Sequence, residues 1–174
     1  FGYAAAEWVT LVQEQIANDL KNAEAAFTRD AAGADIEWRS VQDYPSRALA
    51  RSARAADIVV MSPKSSAGAI RSADPAEIVM TSGRPVLIVP PNASHLHARC
   101  VVVAWKDTRE SRRAVADAMP FLLAAEDVIV QAICEENALE AVAFQTEDVV
   151  AQLVRHGVKA RANVTKGHAD SVTL

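Results

Sequence analysis

Four short apolar runs set the limits on what this chain can become: DIVVM at 57–61, PVLIV at 85–89, RCVVVA at 99–104 and DVIVQAI at 127–133. Each is too short for a buried helix and rich in valine and isoleucine, and each is set off by segments of three- and four-residue apolar spacing. Strands that alternate with helices in this way pair in parallel through helical crossovers. The expected fold class is therefore α/β, a doubly wound parallel sheet. DIVVM in particular is continuously apolar, the pattern of a strand covered on both faces.

The helices are legible between these runs. Val9, Val12, Ile16, Leu20, Ala23 and Phe27 form one apolar stripe within residues 4–32, and Gly33 follows as a C-cap. The segment 34–41 (ADIEWRSV) alternates as a strand would. A helix fits 45–56, with Leu49 and Ala53 inward and three arginines outward. Asp74 and Pro75 open another as N-cap and first helical residue, running to Ser82 and ending at Gly83. After a proline-rich break (PPNASHLHA, 90–98), helices are expected at 109–123, with Ala114, Ala118, Phe121 and Leu122 inward, and at 139–156, capped by Gly157. A strand is expected at 158–165, and the start of one more helix in the tail to Leu174.

The order repeats. A helix ending in Gly33 feeds ADIEWRSV, and a helix ending in Gly157 feeds VKARANVT, roughly one α/β domain further on. Residues 1–92 read as the back part of a first domain, 93–98 as a linker and 99–174 as the front part of a second. On this reading the chain carries two tandem, incomplete copies.

Composition narrows the partners. A net charge of −4 and 23% charged residues do not suit a nucleic-acid binder, although a local basic patch can oppose the global sign. No run approaches the roughly 20 apolar residues of a membrane span. Cys100 and Cys134 sit inside apolar runs, the pattern of buried thiols in a reducing compartment, so the expected location is cytoplasmic. His95 and His97 have no carboxylates beside them in the linker and read as solvated rather than metal-binding; His156 suits the dipole at a helix end.

Two loops stand where open α/β sheets bind ligands, at the carboxyl ends of strands. The loop after DIVVM (Ser62 to Gly68) is built of small residues that leave backbone N–H groups accessible, although Pro63 removes one donor. The second is Trp105-Lys106-Asp107-Thr108, where Asp107 or Thr108 serves as N-cap and Lys106 stands at the strand end, able to meet an anion. No GxSxG, HExxH, Walker-type or GxGxxG pattern is present.

ADIVVMS, DPAEIVMTSGRPVLIVP and VVVAWKDTRESRRAVADAMPFLLAAEDVIVQAI together resemble the end of one universal stress protein domain and the beginning of the next. The resemblance covers most of the chain. It implies a five-stranded parallel sheet of the adenine-nucleotide α-hydrolase-like type, a role in stress tolerance, and assembly as a homodimer or by pairing of the two halves, with PVLIV at a sheet edge or interface. It also offers ATP or AMP as ligand. Nucleotide-binding members carry an Asp near the end of the first strand, then GxxG and a later G[ST]. Here Lys106 falls at that Asp, Trp105 precedes it, and Thr108 lies near the family's serine. Ser62 and Ser65 stand at the two GxxG glycines, and Ala73-Asp74 stands near the later G[ST]. The resemblance thus implies a dimerising, non-catalytic interaction and signalling module with a degenerate nucleotide site in the first half. Its alternative is a protein that binds, or slowly hydrolyses, ATP or AMP through the second-half site.

Overall fold

A computed structural model describes residues 2–31, 33–63 and 72–167. The chain runs α1 (Gly2–Asp30), α2 (Pro45–Ser52), β1 (Val59–Met61), α3 (Pro75–Ser82), β2 (Val86–Ile88), β3 (Cys100–Ala104), α4 (Arg109–Ala124), β4 (Asp127–Cys134), α5 (Leu139–Arg155) and β5 (Ala160–Lys166). Short 3₁₀ turns extend α2 (Ala53–Ala55) and lead into α5 (Glu136–Ala138). The tail expected to begin another helix lies largely outside the described residues.

The α/β class holds, with parallel pairing throughout; the described strands form one sheet of two and one of three, and neither is a five-stranded doubly wound sheet. β1 pairs with β2, with Val59 opposite Val86. The larger sheet has the order β3-β4-β5, with Val102 opposite Ile129 and Gln131 opposite Asn163. Helix coverage also differs from a doubly wound arrangement. The strand order of the larger sheet never reverses, so both crossover helices lie on the same face. Val115, Ala118, Met119 and Leu122 of α4, with Val150 and Leu153 of α5, pack on Val101, Val103, Val128, Val130 and Val164.

The opposite face divides in two. Along β5 it is polar and joins Asp127 and Gln131 of β4, between which Ile129 and Ile133 stand on the same face: Asn163 Nδ2 donates to Gln131 Oε1 at 2.6 Å, Gln131 Nε2 donates to Thr165 Oγ1 at 3.0 Å, and Arg161 pairs with Asp127 at 3.2 Å. Along β3 it is apolar, and Val102 is 60% exposed.

In the smaller sheet Ala53, Val59 and Ile78 form the core, supported by Leu49, Met61, Ala73 and Val86. Val60 and Ile88 stay exposed, so neither DIVVM nor PVLIV is covered on both faces. An apolar strand records the absence of polar side chains; it does not supply the second layer of helix that would cover it. For the same reason Cys100 is exposed and Cys134 half-buried, against the expectation of buried thiols.

Two further expectations change. Residues 34–41 form no strand, because alternation fixes which side chains share a face but cannot supply the neighbour whose ladder makes a strand. Trp38 instead packs on Phe27 of α1, ring centroids 5.3 Å apart, and Arg39 folds back on Glu37. The stripe on α1 forms as periodicity dictates, yet Val9, Ile16 and Leu20 are exposed.

Helix ends follow the sequence closely. Asp74 caps α3 by accepting the Ala76 N–H at 2.9 Å. Gly83 ends that helix at φ 63°, in the left-handed region that a residue with a Cβ rarely enters. No described helix is long and apolar enough to cross a membrane.

Candidate functional site

The corner after β3 is built by the sheet on one side and α4 on the other. Past the last residue of β3, the Trp105 N–H still donates to the Gln131 carbonyl at 2.7 Å. That bond carries the chain one step beyond the strand and fixes where the indole enters the core. Trp105 is only 9% exposed and packs in the cluster that holds Leu122, Val128 and Val130. Its Nε1–H is buried without a hydrogen-bond partner. Leaving such a donor unpaired costs about 1–3 kcal/mol, and an acceptor brought by a ligand or a water would relieve it.

The chain then turns. The Thr108 N–H donates to the Lys106 carbonyl at 2.7 Å, and Thr108 is the N-cap of α4, its Oγ1 accepting the Ser111 N–H at 3.2 Å. Of the two capping candidates, Thr108 therefore takes the role. Asp107 instead pairs with Arg112, which neutralises its carboxylate beside the helix start. Glu110 is held below the usual carboxylate range, first by its own backbone N–H and further by Thr108 and Arg109. Lys106 is exposed at the strand end, as the sequence suggests. Lys106, Arg109 and Arg112 outnumber Asp107 and Glu110 at this corner, so its balance is mildly cationic.

The loop after β1 does not join that corner. Ser62 is exposed just past β1, in the other sheet, and Ser65 lies outside the described residues together with Lys64, Gly68 and Arg71. Asp74 spends a carboxylate oxygen on its capping bond to Ala76. His95 and His97 stack edge to face at 4.1 Å, and Ser94 Oγ bonds His95 Nδ1 at 2.8 Å. No metal-binding cluster occurs among the described residues.

Sequence reasoning missed the second face of α4. Ala114 is exposed rather than inward, and Val115 takes the place in the core. With Phe121, Ala114 instead lines a cleft of about 790 Å³ whose other wall includes Ile58, Val86 and Leu87. The arginines and acids on the same helix, such as Arg113 paired with Asp117 at 2.9 Å, form the rim. The signal was available: Ala114, Phe121 and the core residues together span more of the helix than one apolar stripe requires.

No family model and no curated protein matches the chain.

Proposed function

We propose that this chain is a non-catalytic stress-response module of the universal stress protein type, which acts by pairing with a second copy of itself. Its halves are read as parts of five-stranded parallel domains. The observation that carries the reading is β3. Its five residues, Cys100–Ala104, contain no charge and no proline, its outer edge pairs with no described strand, and Val102 stands open beside it. Strand edges left exposed in soluble proteins are ordinarily blunted by Lys, Pro or bulges. β5, at the other edge, carries Arg161 and Lys166 and fits that description. A parallel sheet is also ordinarily covered on both faces.

The test is sedimentation equilibrium. The parent chain is expected to exceed the 18.6 kDa monomer mass, and Val102→Lys is expected to return it to monomer without loss of helix signal. A parent that stays monomeric to high concentration overturns the reading.

A second reading has its own support. The unpaired Trp105 Nε1–H and the capped start of the 16-residue helix α4 favour an anionic ligand at Trp105–Thr108, with ATP or AMP as the class offered by the family resemblance. Lys106 lacks any acceptor, so it would meet phosphate rather than adenine or ribose. The degenerate first-half site, Ser62 and Ser65, plays no part in this reading. Calorimetry with AMP and with ATP on the parent and on Trp105→Phe tests it. Heat that vanishes in the variant supports the second-half site, and the absence of heat in the parent removes it.

A further inference from the structure

Among the described residues, a group of arginines surrounds a cavity in this acidic chain. Arg39, Arg51 and Arg54 line a space of about 440 Å³ together with Val41, Ala48 and a single carboxylate, Asp43. That carboxylate is occupied. Its side chain is 12% exposed, and it accepts the Tyr44 N–H at 2.7 Å, pairs closely with Arg47, and holds Arg51 Nη1 at 3.6 Å. The arginines are braced from behind as well. Arg54 Nε donates to the Arg51 carbonyl at 2.9 Å, while the Arg54 carbonyl receives Arg84 Nη2 at 2.7 Å. Arg39 grips Glu37 through Nε and Nη2, at 2.8 and 2.7 Å. A guanidinium has five N–H donors in a planar fork, so each of the three keeps donors beyond those bonds.

We propose that this cavity binds a small phosphate-type oxyanion carrying two or more negative charges. Four arginines here, Arg39, Arg47, Arg51 and Arg54, stand against two carboxylates, Glu37 and Asp43, so positive charge remains beyond what those two balance, and the planar forks match phosphoryl oxygens in pairs. Bonds to Glu37, Asp43 and the Arg51 carbonyl restrain each side chain in part, which lowers the ordering left for the ligand to impose. The site lies on α2, the segment before it and the 3₁₀ turn that follows it. It shares no residue with the Trp105–Thr108 corner and stands or falls independently of a ligand there. Because the arginines are largely exposed, the attraction is sensitive to salt.

The experiment is a nuclear magnetic resonance titration of the full chain with inorganic pyrophosphate at low salt, repeated with orthophosphate, with AMP and with an oligoglutamate peptide. Saturable shifts at residues 39–55 are expected, with pyrophosphate binding more tightly than orthophosphate. The double variant R51Q/R54Q should weaken pyrophosphate at residues 39–55 at least roughly tenfold, whereas K159A, at an exposed lysine outside both sites, should leave it unchanged. Circular dichroism of the double variant, and the single variant R54Q, guard against loss of fold. AMP binding like orthophosphate identifies a site that reads phosphate alone, and tighter binding of AMP identifies a phosphomonoester site. Shifts at residues 39–55 that do not saturate, that survive R51Q/R54Q, or that favour the oligoglutamate peptide overturn the proposal.

Discussion

The Ser46 hydroxyl on α2 accepts the backbone N–H of Asp74, the N-cap of α3, at 3.1 Å. One side chain thus ties the start of α2 to the start of the helix that follows β1. Ser46 is buried, and its bond sets where the Asp74 carboxylate meets the first turn of α3. Ser46→Ala removes the acceptor from a part-buried donor and should cost about 1–2 kcal/mol. Urea unfolding followed by circular dichroism measures it, and Ser46→Thr should lose less if the hydroxyl can keep its place.

The cap of α4 makes a parallel case in the second half. Thr108→Ala should destabilise by about 1 kcal/mol, and Thr108→Ser by much less, because serine keeps the oxygen that accepts the Ser111 N–H. Lys106→Ala, two residues earlier on an exposed position, should change stability by less than about 0.5 kcal/mol. The same urea series separates the two effects.

Trp105 gives a sharper contrast. Trp105→Ala should cost about 3–5 kcal/mol through the cavity it leaves among Leu122, Val128 and Val130. Trp105→Phe also removes volume, but it removes the unpaired indole N–H as well, and the two effects oppose each other. Its net change should fall within about 1.5 kcal/mol. A Trp105→Phe loss as large as that of Trp105→Ala would mean that the indole nitrogen is satisfied in solution.

Asp43 sets a pH dependence. Its bond to Arg47, strengthened by the Tyr44 N–H and the nearby charges of Arg47 and Arg51, holds the carboxyl below the usual aspartate range. A carboxyl depressed in the folded state binds fewer protons there than in the unfolded chain. Its contribution to stability is therefore present above the ordinary aspartate range and is lost as pH falls through that range to the depressed value. Asp43→Asn should lower stability near neutral pH and flatten the acid limb of the curve. Thermal melts of both proteins across the acid range read that difference.

What the sequence discloses is governed by how local the physics is. The caps at Asp74, Gly83, Thr108 and Gly157 and the parallel strands are set by a few neighbouring residues, and these are legible. The failure at 34–41 is of another kind. A strand there needs a distant partner, and no feature of ADIEWRSV reports whether one is present. Coverage of a sheet face is equally non-local, which is why DIVVM reads as buried while Val60 stands exposed. The Trp105–Thr108 corner was legible as a place, since strand ends carry ligands in such sheets. The buried, unpaired Nε1 was not, because it depends on what surrounds the indole in three dimensions. The arginine cavity shows the same limit: Arg51 and Arg54 can be read directly as outward, but Arg39 joining them from the preceding segment and Asp43 packed among them cannot.

Amide hydrogen exchange along β3, measured as a function of protein concentration, tests the central claim most directly. If a second copy covers this edge, protection at Val101–Ala104 should rise with concentration while that of β4, paired on both sides within the chain, stays constant. Exchange in β3 that is the same from dilute to concentrated solution would contradict the claim.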